Sequence, residues 1–99
     1  MHFLLIYDYV PDYAIRRDPF RREHLSLALQ AEAEGRLRLA GTIADPGPGA
    51  VLVFEGTSAA EVEAFVAADP YVRHGLVTHW RILPWHTVVG KDATSPVRS

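Results

Sequence analysis

Four short apolar stretches, two stretches of helical periodicity set among them, and proline or glycine at nearly every junction predict an α+β fold built as one domain. The first stretch, HFLLIYDYV, is rich in aromatic and β-branched residues and stops at Pro11, which marks a strand. Asp18-Pro19 reads as an N-cap with proline at the first helical position. It opens a helix through PFRREHLSLALQAEAEG that Gly35 stops. RLRLAGTI then alternates, with Leu37, Leu39 and Ile43 on one side and Arg36, Arg38 and Thr42 on the other, as in a strand with one wet face. DPGPG is a turn, and AVLVFEG is a short apolar strand bounded by it. Ser58 and Glu61 have the spacing of a capping box for the second helix, SAAEVEAFVAADP. After Gly75, LVTHWRILPWHTVV is a final strand interrupted by Pro84.

The resulting order, β-α-β-β-α-β, predicts a ferredoxin-like sandwich: a four-stranded antiparallel sheet with both helices on one face. Residues 1–90 form this domain, and the polar 91–99 tail, KDATSPVRS, is expected to be flexible. FLLIY and AVLVF are apolar on both faces, yet two helices shield only one face of a sheet. The expected solution is a homodimer through the sheet face, with two copies packed sheet against sheet.

Composition narrows the function. A net charge of −2 argues against a nucleic-acid or anionic-membrane partner. AVLVFEG also lacks the interleaved basic and aromatic residues of an RNA-reading strand. With no cysteine, disulfides, thiol catalysis and thiolate metal sites are excluded. The opening apolar run is too short for a membrane span and lacks a basic leader, so a cytoplasmic protein is expected. His2, His74, His79 and His86 show no metal-like spacing, Ser26 and Ser58 lack a triad context, and the glycines form no phosphate loop. No metal or cofactor is therefore expected, and the partner expected besides a second copy is a small-molecule ligand.

Two residues stand out. On the first helix Phe20, His24, Leu27, Ala28 and Ala31 share one face, which puts an imidazole in a core-facing stripe. On the second helix Asp69 continues the apolar stripe of Val62, Phe65 and Val66, in the last turn, where the helix dipole opposes a carboxylate. Asp69 can cap the turn PYVRHG, because a residue before proline is biased to the extended backbone of an N-cap. It can equally pair with His24 on the neighbouring helix. The two roles are compatible, since a carboxylate has two oxygens. Tyr7, Asp8, Phe20 and Tyr71 are the candidates for lining a substrate cleft beside such a pair.

Arg21-x-x-His24-Leu25, Gly41, Ala68-Asp69-Pro70-Tyr71-Val72 with Gly75-Leu76, and Pro84-Trp85 together resemble the YCII-related domain family over roughly residues 1 to 90. The resemblance implies a small ferredoxin-like domain that dimerises into an α/β barrel, with a His-Asp active site falling on His24 and Asp69. His74 departs from the small residue usual beside the glycine. Relatives include a dehydrochlorinase, and muconolactone isomerase shares the wider superfamily. The function implied is proton transfer of lyase, isomerase or dehydrochlorinase type on a small cyclic or aromatic metabolite, with His24 as general base. The alternative is a non-catalytic dimeric binding or accessory module in which His24 and Asp69 form a structural clasp.

Overall fold

A computed structural model describes residues 1–97 of the chain. The elements are β1 (His2–Tyr9), a one-turn helix α1 (Tyr13–Arg16), α2 (Asp18–Ala33), β2 (Leu37–Ile43), β3 (Gly49–Glu55), α3 (Ala59–Ala68), a second one-turn helix α4 (Pro70–Arg73) and β4 (Val77–Trp85). The sheet order is β2-β3-β1-β4, with every neighbouring pair antiparallel. This is the ferredoxin-like α+β arrangement, and it makes β1 and β3 the central strands and β2 and β4 the edges.

Alternation along the central strands sorts the two faces. Phe3, Leu5 and Tyr7 of β1 and Ala50, Leu52 and Phe54 of β3 are buried beneath the helices, with Ala31 of α2 and Val62, Phe65 and Val66 of α3 packed over them. The opposite face carries Leu4 and Ile6, Val51 and Val53, and Leu83 and Trp85, none of which a helix covers. Gly49 is required by the close approach of β3 to β1, since a Cβ there would lie 2.5 Å from the Tyr7 carbonyl oxygen. Gly75 takes a φ of 77°, the left-handed conformation that ends α4 and lets Leu76 N–H donate to the Tyr71 carbonyl at 2.9 Å.

Several local expectations need correction. Asp18 lies inside α2 and makes no capping bond; Arg17 occupies the cap position, closing α1 and opening α2 at once. Pro19 does not break this junction, because the first turn of a helix has no use for its missing N–H. Ser58 has the extended backbone of an N-cap, but its hydroxyl makes no capping bond, so the capping box is not formed. In β2 a register shift between Leu37 and Leu39 breaks the expected alternation. Leu37 pairs with Phe54 and is buried, whereas Leu39 pairs with Val53 and is 71% exposed on the open face. Pro84 is tolerated because β4 is an edge strand, where one side of the backbone has no ladder partner.

Beyond β4 the chain turns back on itself, with Ser95 N–H donating to the Thr87 carbonyl at 3.1 Å and Val97 N–H to that of Val88 at 2.8 Å. His2, at this end of the open face, is only 3% exposed. Its Nδ1 lies 2.7 Å from Thr87 Oγ1 and its Nε2 3.2 Å from Glu55 Oε1. The last two residues of the tail expected to be flexible, 98 and 99, lie outside the described residues.

Candidate active site

Asp69 sits where α3 ends and α4 begins. Its backbone is extended (φ −74°, ψ 119°), as the following proline favours, and this swings the side chain inward beneath α2. The carboxylate is fully buried and accepts three hydrogen bonds. Tyr71 N–H donates to Oδ1 at 3.0 Å, capping α4. Tyr7 Oη–H, reaching up from the central strand, donates to Oδ2 at 2.8 Å. His24 Nδ1, from the core-facing side of α2, lies 2.8 Å from Oδ1. Placement in the last turn of α3 is thus offset by donors from three other elements, and Asp69 is both a cap and a partner.

An ionised carboxylate only accepts, so the hydrogen of this contact belongs to His24 Nδ1. In the neutral ring that leaves the lone pair on Nε2, which makes no hydrogen bond among the described residues. Tyr71 stacks on the imidazole with centroids 3.8 Å apart and planes 8° from parallel, fixing its orientation. The side chain of His24 keeps 13% of its surface exposed, on the wall of an open cleft of about 170 Å³.

The cleft lies between α2 and the β2–β3 edge of the sheet. It is lined by Ala40, Thr42, Ala50 and Leu52 from the sheet and by Tyr9, Tyr13, Arg17, Arg21, His24 and Tyr71. Tyr9 and Tyr13 are stacked, 3.9 Å apart and 5° from parallel, and Tyr71 stands edge-on to both. Among the described residues no group of three His, Cys, Asp or Glu side chains is disposed to hold a metal ion.

Of the residues expected to form the site, His24, Asp69 and Tyr71 come together here. The others do not line this cleft. Tyr7 lies behind Asp69, buried under the helices. Asp8 pairs in register with His79 on the opposite, open face, because strand alternation turns it away from Tyr7. Phe20 is stacked on His74, with ring centroids 4.2 Å apart, outside the cleft lining. Tyr13 and Arg17 went unrecognised in the sequence, and Arg21 was read only as part of the family resemblance. Their signal was the i, i+4, i+8 spacing of Tyr13, Arg17 and Arg21, which aligns only if the helical path continues through Asp18-Pro19.

Burial pushes the Tyr7 phenol far above the ordinary tyrosine value, and the Asp69 charge adds to this. Burial likewise raises Tyr9, and lifts Tyr71 to about 12, with Arg17 and Arg21 pulling Tyr71 partly back. Tyr7 is therefore a neutral donor to Asp69 at any physiological pH. A group whose pKa is higher folded than unfolded contributes stability in full below its unfolded value of 10.0, and that contribution is lost as pH rises through the folded value. Stability should accordingly fall steeply above pH 10, and in an absorbance titration Tyr7, Tyr9 and Tyr71 should ionise only as the fold opens. Normal titration of every tyrosine in an intact fold would contradict this geometry.

A family model of the YCII-related domain matches residues 1–86. The chain belongs to the YCII-related domain family. No curated protein matches this YCII-related chain. Among solved structures, it resembles 5-chloro-2-hydroxyhydroquinone dehydrochlorinase (TftG) from Burkholderia phenoliruptrix AC1100, determined in complex with 2,5-dihydroxybenzoquinone. The identity is 24%, the TM-score 0.74, and the match covers 88% of this chain and 95% of that one, so the fold is common to both. No helix among the described residues of this YCII-related domain is long and apolar enough to cross a membrane.

Proposed function

We propose that this protein is an enzyme of proton-transfer type, in which His24 Nε2 is the general base and Asp69 holds and stabilises the imidazole. The reading rests on one observation above the rest: the Nδ1 of His24 is engaged by a buried carboxylate while Nε2 remains unpartnered beside an open cleft. Nε2 takes a proton from a carbon or hydroxyl next to a carbonyl, and Asp69 stabilises the imidazolium that forms. If the imidazolium returns the proton to another atom, the reaction is an isomerisation. If the electron pair instead expels a leaving group such as chloride, it is an elimination, and the proton passes to water. The cleft size suits a single ring, since an apolar cavity of about 150 Å³ holds benzene. The dihydroxybenzoquinone held by the structural neighbour is a ring of that class.

The clasp reading has the burial of Asp69 behind it, but a clasp has no need of an imidazole nitrogen at a cleft wall. The two separate in deuterium oxide. Lactones and halogenated phenols are incubated with the protein and followed by mass spectrometry for exchange beside the carbonyl or for halide loss. Wild type should accelerate one of these and His24→Ala should not; equal rates for the two proteins would remove His24 from the chemistry.

The same proposal includes a cytoplasmic homodimer formed through the open sheet face. Its support is the uncovered apolar surface of Leu4, Ile6, Leu39, Val51, Val53, Leu83 and Trp85, in keeping with the dimer that the YCII resemblance implies. Light scattering should give twice the 11.0 kDa chain mass at micromolar concentration, and Val53→Glu, which puts a charge in the apolar open face, should give the monomer. A monomeric wild type would rule out the sheet-to-sheet dimer.

A further inference from the structure

We infer that the cleft selects a planar ring bearing an anionic oxygen, with Arg17 as the residue that recognises the anion and Arg21 reinforcing it. This rests on the reading that the His24 cleft is the substrate site, and it adds the substrate's charge and the residue that reads it. The only side chains with a permanent ionic charge on the cleft wall are these two arginines, and no aspartate or glutamate lines it. Asp69 lies behind the imidazole, with its three hydrogen bonds accepted from His24, Tyr7 and Tyr71. The cleft is thus electropositive in a chain whose net charge is −2.

Arg17 carries an unmet demand. Its Nε is shielded from solvent and has no hydrogen-bond partner among the described residues; the nearest carboxylate, Asp18 Oδ1, is 4.0 Å away, beyond a hydrogen bond. Its guanidinium lies 5.6 Å from the Tyr13 ring centroid, held by the aromatic wall rather than by an acid. Arg21, one turn further along α2, has no carboxylate within 4.0 Å among the described residues, as is also true of Arg22 and Arg81, but of these three it alone lines the cleft. Two cations beside stacked aromatic rings, one with a single acid at 4.0 Å and the other with none, suit a flat anion: a ring for the tyrosines and an oxygen for the guanidinium fork.

The test is binding, measured on the His24→Asn variant so that chemistry does not intervene. The probes are 2,5-dihydroxybenzoate, 4-nitrophenolate above its pKa, and the neutral 2,5-dihydroxybenzamide. Binding of either anion at millimolar concentration with the amide at least tenfold weaker is the expected result. The two anions distinguish a carboxylate from a phenolate as the recognised group. Arg17→Gln should weaken the bound anion by roughly 10- to 100-fold, leaving the amide and the melting temperature unchanged, and Arg17→Lys should restore part of the affinity. The inference is overturned if the amide binds as well as both anions, if neither anion binds, or if Arg17→Gln leaves anion affinity unaltered. Loss of turnover in His24→Asn with anion binding intact would keep this inference and the general-base reading separately accountable.

Discussion

Replacing His24 with alanine is expected to lower turnover by about 10²- to 10⁴-fold, the usual contribution of a positioned general base. The expectation follows from the allocation of the two ring nitrogens: Nδ1 is bound to Asp69 at 2.8 Å, and Nε2 has no partner among the described residues on a ring that lines the cleft. Stability should fall less, by about 1–3 kcal/mol, because Asp69 keeps its donors from Tyr7 and the Tyr71 amide while the imidazole's stacking on Tyr71 is lost. The signature is therefore a large kinetic loss in a protein that still folds. Steady-state rates on an accepted substrate, set beside thermal melts, give both numbers. A clasp would reverse the pattern, with a stability loss and no kinetic one.

Asp69 should answer differently, and two substitutions separate its roles. Asp69→Ala removes the acceptor shared by Tyr7, His24 and Tyr71 from a fully buried position. It strands those donors in the core and should cost about 3–5 kcal/mol, the range for breaking a buried charged network. In a domain of this size that lowers the melting temperature by roughly 10 °C or more. Asp69→Asn keeps the shape and one acceptor oxygen. Oδ1 accepts from both His24 Nδ1 and Tyr71 N–H, so the Asn oxygen stays on that side and the amide nitrogen donates to the Tyr7 hydroxyl, which leaves the imidazolium without its carboxylate partner. Turnover should then fall by about 10²-fold or more with a much smaller change in stability than alanine causes. An Asn variant of wild-type activity would show that the Asp69 charge is irrelevant to His24.

The fold was legible in the sequence because its signals are local. Proline and glycine mark the junctions, and FLLIY and AVLVF, apolar on both faces, identify the two central strands. The His24 and Asp69 positions were legible for a related reason: each puts a polar group on an apolar helical stripe, and the adjacency of the two helices on one sheet face makes each the other's nearest remedy. The errors arose where a local rule had a competitor. Asp18-Pro19 is a strong helix-start signal, yet the helical path passes through it, so the Tyr13, Arg17 and Arg21 wall of the cleft was not seen. Alternation in RLRLAGTI hid the register shift that sends Leu39 to the open face, because a bulge leaves no mark in a two-residue period. Tyr7 was expected in a cleft and instead donates to Asp69 from beneath it. Strand position gave its face, but not what would lie between it and solvent.

The most direct test of the central claim is the protonation of the His24 ring itself, read from long-range proton–nitrogen correlations in a sample labelled with nitrogen-15 and assigned with the His24→Asn variant. The account predicts that in the neutral ring Nδ1 carries the hydrogen, bonded to Asp69, and Nε2 is bare toward the cleft. A neutral ring with its hydrogen on Nε2 would leave no base facing the cleft and would contradict the proposed chemistry.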